Sequence, residues 1–290
     1  PGSSLIVVNP GFPDPFGGNS GTIAQPLPPS VLRLADDLVN PQIFAAQTAF
    51  SYKLNKTVNF EGIYTFKRGL HHFRSRDINA PLNNVRPNRD FGRIQLLESS
   101  GAKRENSSEL RTNVFYKGVN VYGNYRMARQ TSDFGDFFSL PADNYNLRLE
   151  RGPSVFDQPH KFSLSFNFDV GKNLKISPAF RLESGLPYTI TTGRDDNRDT
   201  IFNDRPFGAG RNAERGEWFR QTDLRLQWKL PLKRFGVNEK LPVNLTANVK
   251  NLFNTSNLVN YVGVQASPFF GKATSTRTAR SLDLGLSFGF

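Results

Sequence analysis

The sequence contains no cysteine and a single methionine, which excludes disulfide scaffolds, thiolate metal sites and cysteine nucleophiles. It also lacks any apolar run near the roughly 18 to 20 residues that a membrane helix requires. With a mean hydropathy of −0.47 and 37% hydrophobic residues, transmembrane helices are excluded. Histidine is scarce: His71, His72 and His160 are the only three, and without a His-Glu-x-x-His helix they make a poor transition-metal set and are expected to be surface or loop residues. No Gly-x-Ser-x-Gly elbow and no phosphate-binding Gly-x-x-x-x-Gly-Lys occurs, and Gly208-Ala209-Gly210 reads as a loop breaker. The adjacent carboxylates Asp195 and Asp196 have no companion suggesting a substrate cleft, so the protein is not expected to be an enzyme. Neither a basic n-region nor an apolar h-region precedes the body of the chain, and any export signal is expected to have been removed or to lie outside this sequence.

What is present is aromatic and basic. There are 26 Phe, 8 Tyr and 2 Trp, and 37 Lys and Arg against 25 Asp and Glu, a net charge of +12 that points to an anionic partner. The 24 Gly and 19 Pro lie along the chain as turn punctuation, which favours an all-β protein of many strands over long helices. The last segment shows the pattern best. Leu282, Leu284, Leu286, Phe288 and Phe290 alternate with Ser281, Asp283, Gly285, Ser287 and Gly289, giving one apolar and one polar face. The same dyad places Phe162, Leu164, Phe166, Phe168 and Val170 opposite Lys161, Ser163, Ser165, Asn167 and Asp169. It recurs with Thr222, Leu224, Leu226, Trp228 and Leu230, and with Val243, Leu245, Ala247 and Val249. Weaker alternation spans 42–54, 57–67, 109–117, 119–128 and 172–183. The clear strands are about nine to eleven residues long, the length a tilted strand needs to cross a bilayer.

Short links at Asn55-Lys56, Gly118 and Gly171-Lys172 alternate with long polar stretches near 68–108, 129–159, 184–219 and 254–280. The link at 231–241 is longer, but still shorter than any of these loops. That rhythm is the one of outer-membrane barrels, with long loops outside the cell and short turns in the periplasm. Residues 1–40, rich in proline, are expected to be the tail of a preceding extracellular loop, and 41–290 the barrel portion. About nine strands are counted, too few to close a wide barrel. A soluble β-sandwich would show similar alternation and is the competing architecture. Polar faces that carry charge at several heights, opposite faces of nearly pure Leu and Phe, weigh against it.

These residues also resemble a known family, the Oar-like TonB-dependent receptors of the bacterial outer membrane, particularly the acidobacterial type. The resemblance runs from about residue 41 and is carried by RGLHHFRSRDINAP (68–81), FSLPADNYNLRLERGPSVFDQPHKFSLS (138–165), SGLPYTITTGRDDNRDTIFNDRPFGAGRN (184–212), Asn-Leu-Phe-Asn at 251–254 and SPFFGKATSTRTARSLDLGLSFGF (267–290). The resemblance implies an antiparallel transmembrane β-barrel of about 22 strands of which this chain is the C-terminal part. The plug and the energy-coupling box that engages TonB would lie outside the chain. It further implies gated uptake: loops bind a solute, TonB draws on the inner-membrane proton gradient, and the ligand passes through the lumen. Leu284, Leu286, Phe288 and Phe290 match the family's C-terminal signal for the barrel-assembly machinery. An outer-membrane barrel with a structural or adhesive role is the alternative, and a soluble β-sandwich binding module the third. The ligand is not named by any motif.

Three sets of residues are candidates for recognition. Asp195, Asn197, Asp199 and Asp204, with Asp196 and Asn203, offer oxygens at alternating positions as calcium loops do. Arg198 stands where such loops commonly place glycine, and a solvated loop tip is the alternative. Arginines crowd the first long loop (Arg68, Arg74, Arg76, Arg86, Arg89, Arg93, Arg104) and the third (Arg194, Arg198, Arg205, Arg211, Arg215). Guanidinium groups pair with phosphates, so lipopolysaccharide phosphate or a negatively charged substrate is expected, and nucleic acid is not, since no nucleic-acid-binding motif is present. Tyr52, Tyr64, Tyr116, Tyr125, Trp218 and Trp228 are expected to form aromatic girdles at the head-group level.

Overall fold

The computed structural model describes residues 28–231 and 243–288. The turn expected near 231–241, most of the 1–40 segment and Phe290 lie wholly or largely outside the described residues. In chain order the strands are β1 (Val31–Leu34), β2 (Gln42–Lys53), β3 (Val58–Asp77), β4 (Ile94–Tyr116), β5 (Val119–Ser132), β6 (Gly152–Pro153), β7 (His160–Val170) and β8 (Leu174–Glu183). They continue with β9 (Pro187–Tyr188), β10 (Glu214–Arg215), β11 (Phe219–Lys229), β12 (Val243–Lys250), β13 (Leu258–Tyr261), β14 (Ala273–Thr276) and β15 (Ser281–Phe288). A single 3-10 turn covers Leu147–Glu150. Nine long strands form one antiparallel meander in the order β15-β12-β11-β8-β7-β5-β4-β3-β2, and the sheet is not closed. Each hairpin is antiparallel, so all the short turns lie at one end and all the long connections at the other. At the short end Lys117 and Gly118 both have positive φ (47° and 79°), the backbone that a two-residue hairpin turn demands.

Register shows why the alternation matters. Leu245, Ala247 and Val249 face Leu286, Leu284 and Leu282, while Asn248 faces Asp283. One row on the other face runs Glu61–Arg111–Asn124–Ser163–Arg181–Gln221 across six strands. Its charges pair within the sheet, Arg111 with Glu61 at 3.3 Å and Arg181 with Asp223 at 3.1 Å. The apolar rows have no second layer over them: Leu284 and Phe50 are each 70% exposed. Among the described residues only Ile63, Ala80, Ile94, Ala128 and Phe219 are buried apolar side chains. A sandwich would bury its Leu and Phe stripes against each other; here they face outward, which overturns that alternative. The all-β transmembrane barrel is the architecture that leaves such stripes to lipid.

All six girdle residues lie on the apolar face, and they divide by height. Tyr52, Tyr116 and Trp228 sit beside the short turns, whereas Tyr64 and Tyr125 lie part-way along β3 and β5 and Trp218 immediately precedes β11. His160 joins the upper set, stacked on Tyr125 and Trp218 with ring centroids 6.1 Å from each. The 11 residues of β7 extend about 33 Å at ~3.3 Å per residue; with a tilt of ~40° this is about 25 Å of membrane height.

Two sequence boundaries need correction. The loop expected over 68–108 is only 78–93, because β3 and β4 remain paired up to Asp77 and Gln95. Register shifts between Gly69 and His72 and between His72 and Arg74 break the dyad there, and Arg74 and Arg76 pair with Glu98 at 3.3 and 2.9 Å to hold the extension. Within the 1–40 segment, 31–34 is not irregular: β1 lies parallel to β4 from Ile94 to Leu97.

Candidate functional site

The long connections pack into a polar layer at one end of the sheet. Seventeen polar or charged residues are buried among the described residues, and most belong to this layer. In the first connection Asp77 accepts the amides of Asn79 and Ile94, and the Asn79 side chain donates to the carbonyls of Asn88, Phe91 and Gly92. These two side chains take up backbone groups that have no strand partner, which is why the RDINAP stretch folds as a closed loop. Arg86 then pairs with Asp77 at 3.0 Å and donates to the Asp199 carbonyl, linking the first connection to the third.

A second junction centres on Glu150. Its carboxylate lies 2.7 Å from Arg205 and 3.8 Å from Arg211, and all three side chains are about nine-tenths buried. Arg211 also donates to the carbonyls of Glu150 and Ser132 and to the Ser132 hydroxyl. Burial lowers the pKa of this guanidinium, and the Glu150 charge opposes the shift. Arg215 pairs with the buried Asp157. The fourth connection is held to the third by the bridge Thr191–Val264 and by the Glu217 amide donating to the Tyr261 hydroxyl.

The acidic stretch behaves as a self-capped loop. Asp195 accepts the amides of Asp199 and Thr200, Asp204 those of Asp196 and Asn197, and Asp199 that of Ile201 together with the side-chain amides of Asn144 and Asn197. The four candidate residues are brought together, but around backbone donors: among the described residues no three His, Asp or Glu side chains are placed to hold a metal ion. Burial raises the pKa of both Asp199 and Asp204, reinforced in each case by Asp195. Arg198 adopts a positive φ of 59°, filling the turn where glycine was expected.

Beside this loop lies a cavity of about 650 Å³ between the first, second and third connections, bordered by Tyr145, Asn197, Asp199, Asp204, Arg205 and Phe207. Its volume suits a small molecule. Burial, with Asp77 adding to it, raises the Tyr145 phenol's pKa, and the hydroxyl donates to the Ala80 carbonyl at 2.7 Å. Phe202 and Phe207 project from the loop rim, Phe207 wholly exposed. Polar groups thus line the hollow and aromatic rings stand at its edge, an arrangement able to hold a solute by hydrogen bonding and stacking.

The structure sorts the arginines that sequence had grouped. Arg74, Arg76, Arg86, Arg205, Arg211 and Arg215 have carboxylate partners and act as internal ties. Arg68 and Arg104 face each other across β3 and β4 on the outer surface. Arg129 and Arg151, which sequence reasoning passed over, stand near Arg104; the dyad parity of β5 could have shown Arg129 on that face. Leu284, Leu286 and Phe288 are aligned on the exposed apolar face of β15. His71 sits in the β3 irregularity with a φ of 58°, and His72 stacks on Phe134 at 4.7 Å.

Among solved structures, the chain is similar to the outer membrane transporter YddB from Escherichia coli (TM-score 0.63, 14% identity, covering 90% of this chain and 34% of that one). It is also similar to the pyoverdine outer membrane receptor FpvA from Pseudomonas aeruginosa (TM-score 0.53, 13% identity, 87% and 30%). The FrpB iron transporter from Neisseria meningitidis matches with a TM-score of 0.51 at 16% identity, over 89% of this chain and 32% of its own. The chain therefore spans about a third of the length of these proteins, and at such identities the likeness is one of fold. No curated protein matches. The family of outer membrane beta barrel domains matches over residues 2–208, most of the chain, and the one-layer amphipathic meander has the architecture its name describes: this chain belongs to that family and resides in the bacterial outer membrane.

Proposed function

We propose that the chain forms part of the wall and extracellular loop layer of a TonB-dependent outer-membrane receptor of the Oar-like type, corresponding to the C-terminal portion of a larger barrel, and serves energy-coupled uptake of an unidentified solute. The observation that carries this reading is the join of an amphipathic single-layer meander to a hydrogen-bonded loop layer that encloses a cavity of about 650 Å³. A purely structural barrel has no need of so organised a loop surface. The loops and the lumenal polar face recognise the ligand, and coupling to TonB runs through a region outside this chain. Leu284, Leu286 and Phe288 on β15, with Phe290 beyond the described residues, are the assembly signal this reading assigns to the barrel-assembly machinery.

The test is site-specific cross-linking of the native full-length protein to TonB in intact envelopes, with the proton gradient present and collapsed. A TonB adduct whose yield depends on the gradient supports transport. Absence of any adduct, in a protein that is outer-membrane located and heat-modifiable, would leave the structural or adhesive barrel as the function.

A further inference from the structure

Two depressions lie one above the other on the outer face, the lower across β2 to β5 and the upper across β4, β5 and β6. The lower is apolar, about 370 Å³, bordered by Phe50, Tyr64, Leu110, Tyr125 and Met127. It exists because two small residues sit in the rows: Gly62 pairs with Leu110, and Ser108 with Met127. A Cβ on Gly62 would meet no atom within 4 Å, so the hollow opens directly from its backbone. The upper groove, about 810 Å³, is lined by Arg104, Arg129, Arg151 and Arg215. Parity ties the two together: Met127 and Arg129 are two residues apart on β5, as are Tyr64 and Phe66 on β3, and side chains two apart share a face. Arg104 stacks over Phe66 at 5.5 Å and faces Arg68 across the strands.

Arg68, Arg104, Arg129 and Arg151 are exposed, and among the described residues none forms an ion pair with a carboxylate; Arg215 pairs with Asp157. Arg129 stands about 7 Å beyond Met127 along the strand at ~3.3 Å per residue. That is head-group height, just above the Tyr64–Tyr125–His160–Trp218 belt. An unpaired cluster of guanidinium groups at that level, directly over a hollow lined by apolar and aromatic side chains, matches one class of molecule: a lipid with phosphate on its head group and acyl chains below.

We propose that this face binds a phosphorylated glycolipid of the outer leaflet, the lipid A portion of lipopolysaccharide, with Arg104, Arg129, Arg151 and Arg68 on the phosphates and an acyl chain over Gly62. The inference rests on outer-membrane residence and is independent of whether the protein transports anything. Guanidinium forks pair bidentately with phosphate oxygens, and the aromatic belt sets the depth at which they meet the head group.

The test uses the full-length protein purified from outer membranes, with lipid A binding followed by native mass spectrometry. Bisphosphorylated lipid A is expected to bind, and dephosphorylated lipid A to bind at least tenfold more weakly. Arg104→Ser/Arg129→Ser should weaken binding at least tenfold, while Arg104→Lys/Arg129→Lys retains most of it. Gly62→Leu places a side chain in the hollow, its Cβ meeting no atom within 4 Å, and should weaken lipid A several-fold while leaving heat-modifiable migration intact. Equal binding of the dephosphorylated lipid, or of the serine and leucine variants, overturns the proposal. Inorganic phosphate displacing lipid A at equal concentration would show a free-anion site and likewise overturn it.

Discussion

Glu150→Gln tests whether the loop layer is held by its buried charges. Glu150 in the second connection neutralises Arg205 and Arg211 in the third, with all three about nine-tenths buried. Gln keeps the shape and one acceptor oxygen but removes the negative charge, so two guanidinium groups stay buried without compensation. Removing one partner of a buried ion pair costs about 3–5 kcal/mol, and at roughly 1.4 kcal/mol per decade the opening equilibrium of the third connection should shift by about two to three and a half orders of magnitude. Apart from Ser132 at the end of β5, which accepts from Arg211, the strands carry none of these contacts, so the barrel wall should be unaffected. The measurement is native-state hydrogen exchange, reading the amides of Thr191, Thr192 and Gly216, which donate to Gly263, Asp204 and Leu186. Amides of the β8–β11 ladder are the internal control. We expect protection at the three reporters to fall at least a hundredfold with the control unchanged. The double variant Glu150→Gln/Arg205→Met should regain part of the loss, because one stranded cation is gone. Protection within threefold of the parent would mean that backbone bonds alone hold the loop, and the charge argument fails.

Asp199→Asn should destabilise the same connection by about 1–3 kcal/mol, since the new amide would face two donors, the Asn144 and Asn197 side chains; unchanged protease resistance at 195–204 would contradict it. Asp199 and Asp204 have folded-state pKa values raised above their ordinary range, so the folded loop binds more protons than the unfolded one. Its stability therefore falls as pH rises through the folded values and is gained as pH drops from 7 toward the ordinary carboxylate range; exchange rates at pH 7 and 5, corrected for intrinsic chemistry, check the sign. If Asp195, Asn197, Asp199 and Asp204 seat calcium, millimolar calcium at pH 7 should raise protection of 195–204, and unchanged protection would leave the stretch a solvated, self-capped loop. Ala247→Arg, on the apolar face opposite Leu284, should cost about 2–4 kcal/mol in denaturant titration of the folded barrel. Thr246→Arg, on the other face, should cost far less.

The strands and their orientation were legible because a bilayer-spanning strand must keep one face apolar over its whole length. The Leu282–Phe288 and Phe162–Val170 dyads therefore read directly as structure, whereas the division of Tyr52, Tyr116 and Trp228 from Tyr64, Tyr125 and Trp218 needed the strand register. Beyond the belt that constraint ends. Residues 68–77 lie beyond the belt and carry two register shifts, so their pairing with β4 left no periodic trace. The short strand at Val31–Leu34 was equally silent, since four residues with a parallel partner have no turn to announce them. In the loop layer the decisive contacts join residues far apart in sequence, such as Arg86 with Asp199 and Glu150 with Arg211. Composition could show that arginines were plentiful. It could not show which were tied to carboxylates and which, like Arg104, were left facing outward.

The distribution of burial in this chain inverts that of a water-soluble protein. Its buried side chains are mainly Asp, Asn, Ser, Glu and Arg, gathered in the loops, while its Leu and Phe stripes are exposed. The hydrophobic contribution therefore comes from lipid against the outside of the sheet, and loop order comes from directional hydrogen bonds and buried charges that tolerate few substitutes. The two sources act on different residues. Exposed rim positions such as Phe202 and Phe207 are therefore expected to be replaceable without loss of loop order, whereas Asp77, Asn79 and Glu150, buried and bonded beneath them, are not. Exchanging Phe202 and Phe207 for other side chains should accordingly preserve hydrogen-exchange protection at Thr191 and Thr192; a loss there as large as that expected for Glu150→Gln would show that rim and platform are one cooperative unit.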